Sequence, residues 1–130
     1  CIYSMSNLTL LEKEVLSKIL SSLGMDNAEI FQIIDSLRVS KKMFSEDAID
    51  KKKCSGFFVN FRENSLLASL ENVPHHLGVQ LSHKSLPVGA DFILFMNKSK
   101  TGIDFLEASF FDSVLPINQL QGEEHEFTIA

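Results

Sequence analysis

Gly56-Phe57-Phe58-Val59-Asn60-Phe61-Arg62 alternates by twos, with Phe57, Val59 and Phe61 on one side of an extended chain and Phe58, Asn60 and Arg62 on the other. Upstream of Leu37 the apolar residues recur at helical spacing instead, and downstream of it the period of two persists. A chain that places its helices first and its strands afterwards reads as α+β, with the helices packed on one face of an antiparallel sheet.

The helical part has clear starts. Thr9 and Glu12 form a capping-box pair, in which each side chain satisfies a free backbone N–H of the other. Leu11, Val15, Leu16, Ile19, Leu20 and Leu23 then share a face, Glu12, Lys13, Glu14 and Lys18 lie off it, and Gly24 supplies the left-handed stop. Asp26 and Glu29 repeat the box, and Ile30, Phe31, Ile33, Ile34 and Leu37 form the second stripe. The short Gly-Met link predicts a helical hairpin.

The sheet is predicted to hold about five strands, mainly antiparallel: Val39–Phe44, Gly56–Arg62, Gly78–Ser82, Ala90–Met96 and Ile103–Phe110, with Phe127–Ile129 as a last edge segment. Val79 and Leu81 are expected to point inward. Ala90–Met96 is the most continuously apolar strand and so the expected centre. Asn64–Pro74 fits a helical turn or an irregular loop, and Pro116–Gly122 reads as loop. Phe57, Val59, Phe61, Phe92, Leu94, Ile103 and Phe105 are the candidate core.

At 130 residues the whole chain, 1–130, is one domain, with residues 1–7 expected to be a poorly ordered leader and Met5 a natural start. With 11 Phe, one Tyr and no Trp, any partner surface must rest on charge, backbone and scattered Phe or Leu. Two cysteines, Cys1 and Cys54, make no disulfide framework, so a reduced cytoplasmic setting is the simpler expectation. No apolar run approaches the roughly 18 residues that span a bilayer. Charge is one-sided: residues 101–130 hold six acids and no Lys or Arg, so the net −5 of the chain arises there. Such a field favours a basic protein as partner and disfavours nucleic acid and anionic membranes.

Few residues suggest chemistry. His75 and His76 are adjacent, so on a strand they face opposite ways, and no zinc-like spacing surrounds them, His83 or Cys54; no metal or cofactor is expected. A ribonuclease-like pair such as His76 with His83 needs a cationic phosphate pocket, and Lys84 alone is near. Glu107, inside the apolar Phe105-Leu106-Glu107, reads either as a binding carboxylate displayed on the sheet or as a strand residue facing water or paired with Arg62. Residues 38–62 carry seven bases and three acids, a net +4 centred on Lys51-Lys52-Lys53, with no stacking aromatics interleaved among the lysines. A solvated loop that guards strand register is the plainer reading of it. Cys54 is expected to be partly buried at the start of its strand.

Leu8-Thr9 with Glu12, Gly56-Phe57-Phe58 with Phe61, and Gly89, Phe92, Leu94-Phe95, Ile103 and Leu106-Glu107 together resemble a widespread, uncharacterised family of small bacterial α+β proteins. The resemblance runs over most of Leu8 to Ile129, and the Lys51–Lys53 loop and Leu66–His76 lie outside it. Proteins of this look are similar to the immunity proteins of contact-dependent growth inhibition and related polymorphic toxin systems. That similarity implies a cytoplasmic inhibitor, not an enzyme, that binds one cognate toxin, usually a nuclease, and it carries over no catalytic residue. Asp104, Glu107, Asp112, Glu123, Glu124 and Glu126 are then the expected contacts to a cationic groove. Two other readings stand beside it: a small hydrolase or RNase-like enzyme with a His and a carboxylate, and a nucleic-acid-binding or adaptor subunit that uses the Lys51–Lys53 face.

Overall fold

The computed structural model describes residues 7–129, so the expected leader falls outside it apart from Asn7, which is exposed. Helix α1 (Leu10–Ser21) starts at Thr9, whose hydroxyl accepts the Glu12 N–H at 3.1 Å while the Glu12 carboxylate accepts the Thr9 N–H at 3.0 Å. Helix α2 (Asn27–Ser36) has the same reciprocal pair in Asp26 and Glu29, at 2.9 and 3.1 Å. Between them Gly24 adopts φ 85°, where a side chain would be strained. Leu11, Val15, Leu16, Ile19 and Leu20 are buried, as are Ile30, Ile33, Ile34 and Leu37.

Two residues leave their expected places. Phe31 is 69% exposed, because it sits a third of a turn from Ile30 and outside the stripe that Ile30, Ile33 and Ile34 define. Glu12, expected off the apolar face, is buried and pairs with Lys42 at 3.0 Å. One carboxylate thus caps α1 and ties it to the sheet.

The strands are β1 (Val39–Glu46), β2 (Lys53–Phe61), β3 (His76–His83), β4 (Leu86–Met96), β5 (Ile103–Ser109), β6 (Leu115–Pro116) and β7 (Phe127–Thr128), with a short helix α3 (Ile117–Gln121) before β7. They form one antiparallel sheet in the order β1-β2-β5-β4-β3-β7, and β6 adds to the start of β2. Pro116–Gly122, expected as loop, is therefore the end of β6 followed by α3. Neither piece is long enough to show a period, and α3 has no side-chain cap. The edge segment at Phe127 pairs with β3 through Ser82–Thr128 and His83–Phe127.

β5 lies between β2 and β4, both earlier in the chain, so the connection 62–75 must pass one end of the sheet. That connection is fastened rather than loose. The Asn64 amide donates to the Ile103 carbonyl at 2.9 Å and accepts its N–H at 3.0 Å, which imitates a strand partner, and Leu67 and Val73 are buried. Where β2 meets β5, a Cβ on Gly56 would stand 2.2 Å from the Ala108 carbonyl oxygen, so only glycine permits that pairing.

Six of the seven candidate core residues are buried; Phe105 is not. Phe95 pairs with Phe105 and Met96 with Ile103, so Asp104 is the extra residue of a bulge. The bulge turns Ile103 toward the core and Phe105 toward the opposite face. Phe57, Phe92, Phe110 and Phe127 form the aromatic centre, with ring centroids 5.3–6.4 Å apart in the edge-on pairs. Leu81 points inward as expected, and Val79 is half-buried against the core.

Candidate functional site

Helix α1 packs on β3 and β4 and against α2 and α3, so the helices occupy one face of the sheet. The other face is bare, and strand register fixes what it displays. One row runs Lys41–Asn60–Phe105–Phe95–His76, from β1 to β3. The next runs Met43–Phe58–Glu107–Ile93–Gly78. Phe95 stacks on Phe105 at 4.5 Å and 15°, Phe58 lies 6.1 Å from Phe105, and His76 lies 5.8 Å from Phe95. Open faces of antiparallel sheets are usually polar. This one carries a partly buried apolar centre of Phe58, Ile93, Phe95 and Phe105.

Glu107 sits inside that centre. Its cross-strand neighbours are Phe58 and Ile93, not Arg62, and its half-buried carboxylate makes no hydrogen bond or ion pair with any described residue. The other expected acids lie elsewhere. Asp104 is exposed at the bulge near the β4–β5 turn. Asp112 is exposed just beyond β5, and Glu123, Glu124 and Glu126 are exposed in the segment between α3 and β7. Those last four share one end of the sheet with the β1–β2 hairpin, because β2 begins, β5 ends and β3 ends there. Lys51, Lys52 and Lys53 occupy that hairpin or its edge, all exposed. The basic loop thus lies at the same end of the sheet as the acidic tail but toward the β1 side, while Glu123–Glu126 lead into β7 at the other side.

The histidines have structural surroundings. His83 is buried; its Nδ1 accepts the Ser85 N–H at 2.9 Å and its Nε2 donates to the His125 carbonyl at 2.9 Å. His125 is buried too, accepting the Phe127 N–H on Nδ1 and placing Nε2 2.6 Å from Glu14 of α1. Together they bind the C-terminal segment to the helical layer. His76 and His83 lie at opposite ends of β3, roughly 23 Å apart at strand rise, so they cannot act on one phosphate. No group of three or more His, Cys, Asp or Glu among the described residues could hold a metal ion. Cys54 is fully buried, and burial pushes its thiol pKa up, with a smaller opposing effect from a hydrogen bond to Gly56. Such a thiol is inert.

On the helical side, a groove of about 530 Å³ lies between α1 and α2, lined by Lys13, Glu14, Ile30, Phe31, Ile34 and Asp35 among others. No helix among the described residues is long and apolar enough to cross a membrane. Neither family models nor curated proteins nor solved structures match this chain. What fold and face define is a two-layer α+β domain with one covered and one bare, partly aromatic sheet face. Alternation alone had already put Phe58 on the side opposite the candidate core, whereas it left Glu107 open between a binding carboxylate and a strand residue facing water or paired with Arg62. The assembly of Phe95, Phe105 and His76 around them was hidden, because the bulge at Asp104 leaves no mark in the spacing of residues.

Proposed function

We propose that this protein is a stoichiometric binding module that acts as an immunity-type inhibitor, occluding a basic protein partner of the kind a cognate toxin nuclease presents. The observation that carries the reading is the bare sheet face, where an unpaired half-buried carboxylate stands among Phe58, Ile93 and Phe105. An interface centre is commonly apolar and poor in charge, and a lone charge within it selects the partner's complementary group. Asp104, on the neighbouring bulge, extends the negative potential; Asp112, Glu123, Glu124 and Glu126 add a steering field from one end of the sheet. A nucleic-acid ligand fits the aromatic rings but would bring phosphates against Glu107 on a chain of net charge −5.

The experiment is co-expression with any toxin candidate that the neighbouring genes prove to encode, combined with calorimetry on the purified pair. Phe105→Ala with Glu107→Lys is expected to abolish protection and binding, while charge reversal of Glu123, Glu124 and Glu126 slows association and leaves protection intact. Should the open-face variant still protect while reversal of Lys51–Lys53 does not, the contact surface is the basic loop and the assignment is wrong.

A further inference from the structure

The geometry points to a specific chemical occupant for the centre of the open face: we propose that it receives one arginine side chain of the partner. This rests on the docking reading above and adds the identity of the group recognised. Glu107 is the only acid in its row, with Phe58 beside it on β2 and Ile93 beside it on β4. Phe105 lies two positions back along β5 on the same face and is itself held flat against Phe95 at 4.5 Å. A ring fixed by stacking is a rigid platform at little entropic cost. Asp91, in the adjacent row opposite Gln80, contributes a second half-buried carboxylate to the same face.

Four kinds of occupant can be compared against this arrangement. A phosphate or carboxylate is repelled by Glu107. An apolar anchor would complete the desolvation of a carboxylate that has no partner, which is costly. A lysine ammonium neutralises the charge but is compact and strongly hydrated, and so gains little from the flanking rings. A guanidinium is planar and weakly hydrated, stacks on aromatic faces, and offers paired N–H groups to one carboxylate. Only the guanidinium uses both the rings and the carboxylate. The Lys41 side of the face is separated from Glu107 by β2, so the receptor is confined to β2, β5 and β4.

The test is an NMR titration of the whole protein with N-acetyl-arginine methylamide and, separately, N-acetyl-lysine methylamide at low salt. The expected result is saturable movement of the Phe58 and Phe105 ring signals and of the Glu107 amide. Arginine is expected to bind about threefold or more tightly than lysine, since it adds ring stacking to charge. Glu107→Gln should remove the response while the remaining amide spectrum stays as in the parent, which separates loss of the receptor from loss of the fold. Equal response to the two compounds, a response that survives Glu107→Gln, or shifts confined to Glu123–Glu126 overturns the proposal. Failure of the docking reading looks different: toxin binding then persists in Phe105→Ala with Glu107→Lys, whatever the titration shows. If toxin binding is lost in that variant but the arginine compound has no effect, the face is the interface and the arginine receptor is refuted.

Discussion

Phe92 and Phe105 share a residue type and little else. Phe92 is fully buried on β4 and meets the rings of Phe57 and Phe127 edge-on at 6.4 and 5.3 Å. Its replacement by Ala removes those contacts and leaves a cavity, so the expected loss is roughly 3–5 kcal/mol in urea unfolding. Phe105→Ala removes a partly buried ring from the outer face together with its stack on Phe95 and should lower stability by roughly 1–2 kcal/mol, well short of the Phe92 loss. The two variants therefore separate folding from binding, since the second is expected to melt near the parent yet fail to bind. Cys54 permits a prediction of pH dependence. Its pKa is raised by burial, so the thiol of the unfolded chain ionises first as pH rises. The stability it contributes is complete below the ordinary thiol range and is lost as pH climbs through that range toward the folded value. Urea midpoints should fall on that alkaline limb, Cys54→Ala should flatten this part of the decline, and the native thiol should react with disulfide reagents only as fast as the protein opens.

Among the elements, α1 and α2 were legible because capping boxes and apolar stripes are local: Thr9 with Glu12 and Asp26 with Glu29 lie within one turn of each other. The alternating strands β2, β4 and β5 were legible for the same reason. Three features were not. The bulge at Asp104 depends on how β4 and β5 meet; Asn64 completes Ile103's backbone bonding from a distant segment; and β6 and α3 are held by contacts with Lys52, Lys53 and Cys54 rather than by their own pattern. The candidate site divides along the same line, with Glu107 visible on its own and its aromatic frame produced by register. Gly56 tests the pairing that sets this register. Gly56→Ala would drive a methyl group into the Ala108 carbonyl, so β2 and β5 must part locally. A loss of about 3 kcal/mol is expected, with faster amide exchange at Phe57, Phe58 and Ala108 as its local signature.

At the scale of the whole molecule, the charge asymmetry of the sequence is redistributed by folding. Four of the six C-terminal acids that define the candidate set come to lie at the sheet end that also carries Lys51–Lys53, while Glu107 stands on the open face, near Asp91 of β4. Attraction of a basic partner should therefore depend on the net field, and its retention on the open face. Association with the partner is expected to slow steeply as ionic strength passes about 0.15 M, where screening acts over roughly 8 Å, whereas dissociation changes little with salt. Stopped-flow traces at several salt concentrations check this, and a salt-independent association rate would remove electrostatic steering from the account. The placement of β5 has one more consequence, and it concerns synthesis. Its flanking strands β2 and β4 both leave the ribosome earlier, each already able to pair with a hairpin neighbour, and both wait for residues 103–109 to join them. The strand that unites the two halves is the strand that bears Phe105 and Glu107. A nascent chain therefore has no half-made version of the open face: that face is completed in the same step that closes the sheet.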